Sequence, residues 1–346
     1  MNLKDRFKRG ALLAAANWQV VVIQFIAETT YQALLMVPLI GAAILVGVLL
    51  GADVAELLQG SLRDIFTTIA NALIEQPVAL AAFVFAFTLV LLGGSVLTFV
   101  VKAGTVDVLI DANNAAGPIE GEPLTFDLVA GASRFTLPRF TSGCARLYRP
   151  YLVLGLALMA VYGLSLAGYI AFVFYGYRAA GDGMFALGWT FVAAMATALL
   201  IAWYTVVNLV YLLMQIAVAV EPIGAGRGAG GMFLDAFRAV VRFVRAEFRD
   251  LAAVFGIVVA LVVIATLASW LAWSGVALIA FVPLIGLAVV PLQLVALVLR
   301  GLLFEYLGLA ALGAYLSLYT GSAARPFSPV VARAAQAPLA APQARS

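Results

Sequence analysis

The side chains able to do chemistry in this chain are few, and they fall into three groups. The first is a polar stripe, Asn17, Gln24, Glu28 and Gln32, spaced at seven, four and four and so sharing one face of a helix. Inside a bilayer such a stripe would line a polar path, with Glu28 as a proton or ion site. At a membrane surface it would be the wetted face of an interfacial helix instead. The second group is a pair of carboxylates, Asp107 and Asp111, one helical turn apart. They could hold a divalent cation or a partner arginine, or stand as solvated helix-end charges. The third is a duplicated block. Asp127 is followed after six residues by Arg134-Phe135, and Asp235 after six residues by Arg242-Phe243; Phe140 and Phe248 match at the same offset of 108. Basic clusters close both blocks, Arg146 with Arg149 and Arg245 with Arg249.

What is missing narrows the chemistry. The chain has no histidine and a single cysteine, Cys144. Imidazole metal sites, histidine-activated nucleophiles and intramolecular disulfides are therefore excluded. The run Gly224–Gly231 has neither the preceding strand nor the Lys-Ser/Thr ending of a phosphate loop, and reads as a linker. No convergent set of carboxylates accompanies a nucleophile, so the chain is expected to be no enzyme and to need no cofactor or metal.

These groups must be held by elements that suit lipid. Of 346 residues, 65% are hydrophobic and only 11% charged, with a mean hydropathy of +1.09. That is too little polar surface to cover a globule of this size in water. Continuous apolar runs rather than alternating ones exclude a barrel, and open strands cannot satisfy their backbone in lipid. The expectation is an all-α, polytopic transmembrane bundle. Runs long enough to cross a bilayer lie near 33–51, 77–101, 151–175, 185–220, 251–271 and 276–299, the fourth long enough to tilt or project. A seventh apolar stretch, 301–319, is expected in the interface or as a re-entrant helix.

Charge sets the topology. With the N-terminus inside, eighteen of the twenty Lys and Arg residues fall in cytoplasmic segments, and only Arg63 and Arg178 fall outside. The positive-inside rule then favours six spans with both termini in the cytoplasm; a seventh span would carry Arg325, Arg333 and Arg345 outside. The retained basic start and interrupted apolar run argue against a cleaved leader. Residues 1–32 are expected as an amphipathic helix in the cytoplasmic interface, 33–319 as the bundle, and 320–346 as a disordered cytoplasmic tail. The outer loop 52–76 carries Leu58, Leu62, Ile65, Ile69 and Leu73 on one helical face. It reads equally as a surface helix or as a cap on the bundle.

The duplicated blocks then become span, cytoplasmic elbow helix, span, twice over. Arg134, Phe135, Arg146, Arg149, Arg242, Phe243, Arg245 and Arg249 are the candidate contacts to lipid or to a partner. Arginines at an inner leaflet gain roughly 1 kcal/mol each from anionic lipid. The expected partners are membrane lipids and, second, another membrane or cytoplasmic protein. Nucleic acid is not among them, since topology already accounts for the arginines. The competing reading is a small-solute or ion transporter with a path between two pseudo-symmetric halves.

The span ending near Ile110–Gly117, the elbow with Arg134-Phe135, and the second copy with Phe233, Phe237 and Arg242-Phe243 resemble a group of bacterial six-span membrane proteins. One branch of that group is called the glycerophosphoryl diester phosphodiesterase membrane domain. The resemblance covers about residues 100–275. It implies a membrane module of the bacterial cytoplasmic (inner) membrane. It does not carry over the hydrolase activity, which belongs to a soluble, histidine-dependent domain.

Overall fold

A computed structural model describes residues 2–50, 75–121, 125–181, 184–221, 228–280 and 285–323. Among them are eight helices and no strand: α1 (Leu3–Ala16), α2 (Trp18–Leu50), α3 (Pro77–Ala115), α4 (Phe126–Gly131), α5 (Leu137–Ala180), α6 (Met184–Val220), α7 (Ala229–Ala280) and α8 (Ile285–Ala323). Six of them are long and apolar enough to cross a membrane: 18–45, 77–115, 137–180, 187–220, 229–274 and 291–322. The protein is an all-helical, multi-pass membrane protein.

Start and stop signals are local. Pro77 opens α3 without a lost hydrogen bond, since the first-turn N–H is unpaired anyway. Thr136 caps α5 by accepting from the Arg139 N–H at 3.4 Å, with Pro138 in the first turn. Past the ends of α3 and α5 stand Gly117 at φ 56° and Gly181 at φ 64°, a backbone region that favours glycine.

The six long helices have 33 to 52 residues. At 1.5 Å per residue they run to about 50–78 Å, far more than the ~30 Å of a hydrocarbon core. Burial shows how the surplus is used. Large exposed apolar side chains form one run per helix: Ile26–Val48, Val78–Leu97, Leu156–Tyr177, Phe185–Val206, Ile257–Trp273 and Leu292–Leu303. Each run is about 18–35 Å of helix, and six such faces stacked side by side are stable only against acyl chains. Beyond that band all six helices enter one packed base. Its core comprises Leu13–Val21, Phe99–Ala112, Phe140–Leu154, Tyr211–Val218, Ala236–Val254 and Leu309–Tyr319. Most of the described charges sit in the base. Within the band α5 and α6 are zipped by Tyr204 donating to the Tyr162 carbonyl at 3.2 Å, Tyr169 with Thr197 at 2.6 Å, and Tyr177 to Thr190 at 3.0 Å.

Three expectations change. The N-terminal segment is not one helix to residue 32. It breaks at Asn17, and Trp18 already begins the first span. Nor does α1 offer one face to lipid and one to water. It buries Leu13, Ala14 and Gly10 against α8, where Gly10 lies so close to Ala310 and Gly313 that a Cβ would stand 2.7 Å from the Ala314 nitrogen. The stretch 301–319 is neither interfacial nor re-entrant: it continues α8, while the run 276–299 is divided between α7 and α8. Its apolarity is spent inside the base, where Ala314, Leu316 and Leu318 are nearly inaccessible under α1 and α7. Finally, the two blocks are not alike in shape. The first is the six-residue α4 followed by an extended segment, whereas the second is the first half of α7, bent at Glu247 (φ −120°, ψ 27°) where it meets its span. The outer loop 52–76 lies outside the described residues except at its last two, and so does the tail beyond Ala323, which is helical up to that point.

Candidate functional site

The base is clasped by ion pairs that use up much of the sequence's charge. Arg9 donates from Nε to Asn113 Oδ1 at 2.8 Å, from Nη2 to the Asn113 carbonyl at 2.7 Å, and from Nη1 to Gly117 O and Glu120 Oε2. One guanidinium thereby closes the C-terminus of α3, where carbonyls have no helical partner. Arg6, almost buried, lies 2.9 Å from Asp250, an ionic contact off the hydrogen-bonding axis. Asp107 pairs with Arg146, and Asp111 with Arg139 at 3.1 Å. Of the readings open for those two carboxylates, the partner-arginine one describes what α5 supplies.

Of the polar stripe, no common wall survives. Asn17 has no exposed surface; its side chain donates to Leu13 O at 2.9 Å and Ala132 O at 3.4 Å, and accepts from the N–H groups of Arg134 at 2.8 Å and Phe135 at 3.1 Å. The Leu13 carbonyl also accepts from the Asn17 N–H at 3.2 Å, so the side chain shares the last ladder bond of α1 at the point where the chain breaks. It also satisfies the unpaired backbone of the first elbow. Glu28 meets Glu305 from α8, with Lys102 of α3 as the neighbouring cation. Gln24 is half-buried with its Oε1 unpartnered, and Gln32 is exposed in the apolar band. Sequence spacing found Glu28 but not Glu305 or Lys102, because those partners come from helices remote in the chain.

The eight arginine and phenylalanine candidates also divide. Phe243 is buried, its ring 4.9 Å from that of Tyr319, so it cannot reach lipid or a partner. Phe135 is half-buried against Phe140. Arg134 is half-buried, held through its backbone by Asn17. Arg146 is exposed but paired with Asp107. Arg149, Arg242, Arg245 and Arg249 are exposed, and none has an ion-pair partner among the described residues.

Three residues outside the eight candidate contacts complete this surface. Outside the apolar band the exposed large hydrophobics among the described residues are Trp18, Leu137, Tyr148, Leu234, Phe237 and Phe248. Half of them lie on the first part of α7. At 100° per residue, Met232, Ala236, Ala239 and Phe243 point inward and are buried. Up to the bend at Glu247 the opposite side carries two adjoining strips, Leu234, Phe237 and Val241, then Arg238, Arg242 and Arg245, with Phe248 and Arg249 exposed just past the bend. Their spacing of three and four is a readable signal in the sequence, whereas the duplicated Arg-Phe pair contains the buried Phe243. Among the described residues no three of His, Cys, Asp and Glu come together as a metal set. Cys144 is free and half-buried beside Gly104. No family model, curated protein or solved structure matches the chain.

Proposed function

We propose that this chain is a non-catalytic module of a bacterial cytoplasmic membrane, with both termini and the helical base on the cytoplasmic side. Its task is to hold anionic phospholipid of the inner leaflet through the outer face of α7's first half. The orientation rests on the charge asymmetry of the loops. The lipid assignment rests on one observation, the apolar strip Leu234, Phe237 and Val241 beside the arginine strip Arg238, Arg242 and Arg245, with Phe248 and Arg249 exposed just past the bend. An apolar strip beside a basic one is the pattern of a helix lying in the headgroup boundary. The bend at Glu247 lets such a helix leave the direction of the span that follows it.

Arg238 already faces Asp235 at 3.6 Å, so the other three arginines, at about 1 kcal/mol each near an anionic surface, favour anionic over neutral lipid by about 3 kcal/mol at low salt. The test is lipid enrichment around protein reconstituted in mixed phosphatidylglycerol and phosphatidylcholine nanodiscs. The wild type is expected to enrich phosphatidylglycerol, and salt is expected to erase the effect. The variant Arg242→Glu/Arg245→Glu/Arg249→Glu is expected to lose it. Equal enrichment in that variant at low salt refutes the assignment, as does a wild type that enriches nothing yet captures a soluble acidic protein through the same residues.

A further inference from the structure

A second basic feature lies away from the base, within the lipid-facing band. Arg300 is exposed in the outward run Leu292–Leu303 of α8, although the sequence had placed it in a cytoplasmic segment. The reason is the continuation of α8 through residue 323, which draws position 300 into the span 291–322. A charge there is expensive unless something pairs with it. Among the described residues Arg300 has no ion-pair partner, and from Leu251 to Phe304 the sequence holds no Asp or Glu, Arg300 being the single charge in that stretch. Glu305, five residues on, stands about 140° around the helix and is engaged with Glu28 and Lys102. The contact the protein does give Arg300 is the ring of Phe304, 5.7 Å from the guanidinium carbon.

Arg300 forms the wall of a cleft of about 220 Å³ between α7 and α8, together with Trp270, Trp273, Ser274 and Leu297. Trp270, Trp273 and Leu297 are 69%, 45% and 52% exposed, so the cleft opens toward lipid and not into the bundle. The Ser274 hydroxyl is already spent on the Trp270 carbonyl at 2.9 Å. That leaves one planar, bidentate cation and two indole N–H donors in an apolar wall. We infer that this cleft seats the phosphate of an anionic phospholipid. The guanidinium takes the phosphate oxygens in a fork, and the tryptophan faces cover the glycerol and upper acyl chain, as interfacial tryptophans do. A cleft of about 220 Å³ has room for a headgroup but not for a side chain together with its helix. This favours lipid over a partner's carboxylate.

The site shares no residue with the arginine strip of α7, so the two assignments fail independently. The experiment is native mass spectrometry of detergent-solubilised full-length protein titrated with phosphatidylglycerol, phosphatidylcholine or inorganic phosphate, with thermal unfolding alongside. The wild type is expected to retain one more phosphatidylglycerol than Arg300→Leu. Arg300→Lys, a point charge without the fork, is expected to bind it at least tenfold more weakly than the wild type. Phosphatidylglycerol is expected to raise the unfolding temperature of the wild type and not of Arg300→Leu. Should Arg300→Leu fail to fold, Arg300→Lys and Trp273→Ala carry the same comparison. The Arg242/Arg245/Arg249 variant should keep this lipid. The inference is overturned if Arg300→Leu retains the same lipid count and the same thermal shift. It is also overturned if inorganic phosphate reproduces the shift, or if the wild type is a dimer that Arg300→Leu dissociates.

Discussion

Replacing Asn17 by Ala should release the first elbow from the N-terminal helix. The amide is wholly buried and makes four hydrogen bonds, two as donor to carbonyls and two as acceptor from the Arg134 and Phe135 N–H groups. Alanine removes the acceptor and leaves those two N–H groups facing a void. An orphaned buried donor costs about 1–3 kcal/mol. Arg134 and Phe135 are themselves half-buried, so water can reach them in part, and a total of about 2–4 kcal/mol follows for the pair. At 1.4 kcal/mol per tenfold, the amides of 134 and 135 should exchange with solvent deuterium roughly 30- to 700-fold faster than in the wild type. Exchange in the middle of α5 should stay unchanged. Hydrogen exchange read by mass spectrometry on peptides spanning 125–140 measures this directly. If those amides exchange freely in the wild type, or if Asn17→Ala leaves their protection intact, the anchoring role of Asn17 is wrong. Asn17→Asp is a sharper variant: it keeps the acceptor but loses both donors and buries a charge, so it should also destabilise.

Gly10→Ala should loosen α1 from α8, because its methyl would meet the backbone of Ala310 and Ala314 instead of a movable side chain. A loss of about 1–3 kcal/mol in thermal or denaturant unfolding is expected, and no loss would mean that α1 is not docked there. Arg9→Met should cost about 3–5 kcal/mol by leaving Glu120 and two carbonyls without their donor, read as a drop in unfolding midpoint in detergent. Lys102→Met should lower the unfolding midpoint in detergent by removing the cation near Glu28 and Glu305. Glu305→Gln in the same chain should recover most of that, and an additive double variant would separate the three residues. With Cys144→Ala as background, a cysteine at 249 should react with an impermeant maleimide only from the cytoplasmic side and one at 178 only from the outer side; the opposite pattern inverts the orientation.

How much of this was legible follows from what each signal measures. The apolar runs fix that the chain crosses lipid repeatedly. The sorting of most cations to alternate segments favours an even number of crossings, and the excess length of 185–220 announces a helix that outruns the bilayer. The two overlaid periodicities of 234–245 also stand in the sequence, since the strips of α7 need only the helical repeat to be seen. Apolarity alone, however, cannot say whether lipid or protein does the covering. Residues 301–319 read as one more membrane-active stretch because burial under α1 and burial in acyl chains select the same side chains. The stripe from Asn17 to Gln32 looked like one surface because helical spacing assumes one helix. The break at Asn17, where the amide meets carbonyls and N–H groups at 13, 132, 134 and 135, turns its members to different neighbours. Composition along the chain thus decides that the helices cross lipid repeatedly, because this follows from transfer free energy residue by residue. Which polar groups meet, and whether Arg300 ends in water or among tryptophans, depends on contacts between helices far apart in sequence, and only their packing decides it.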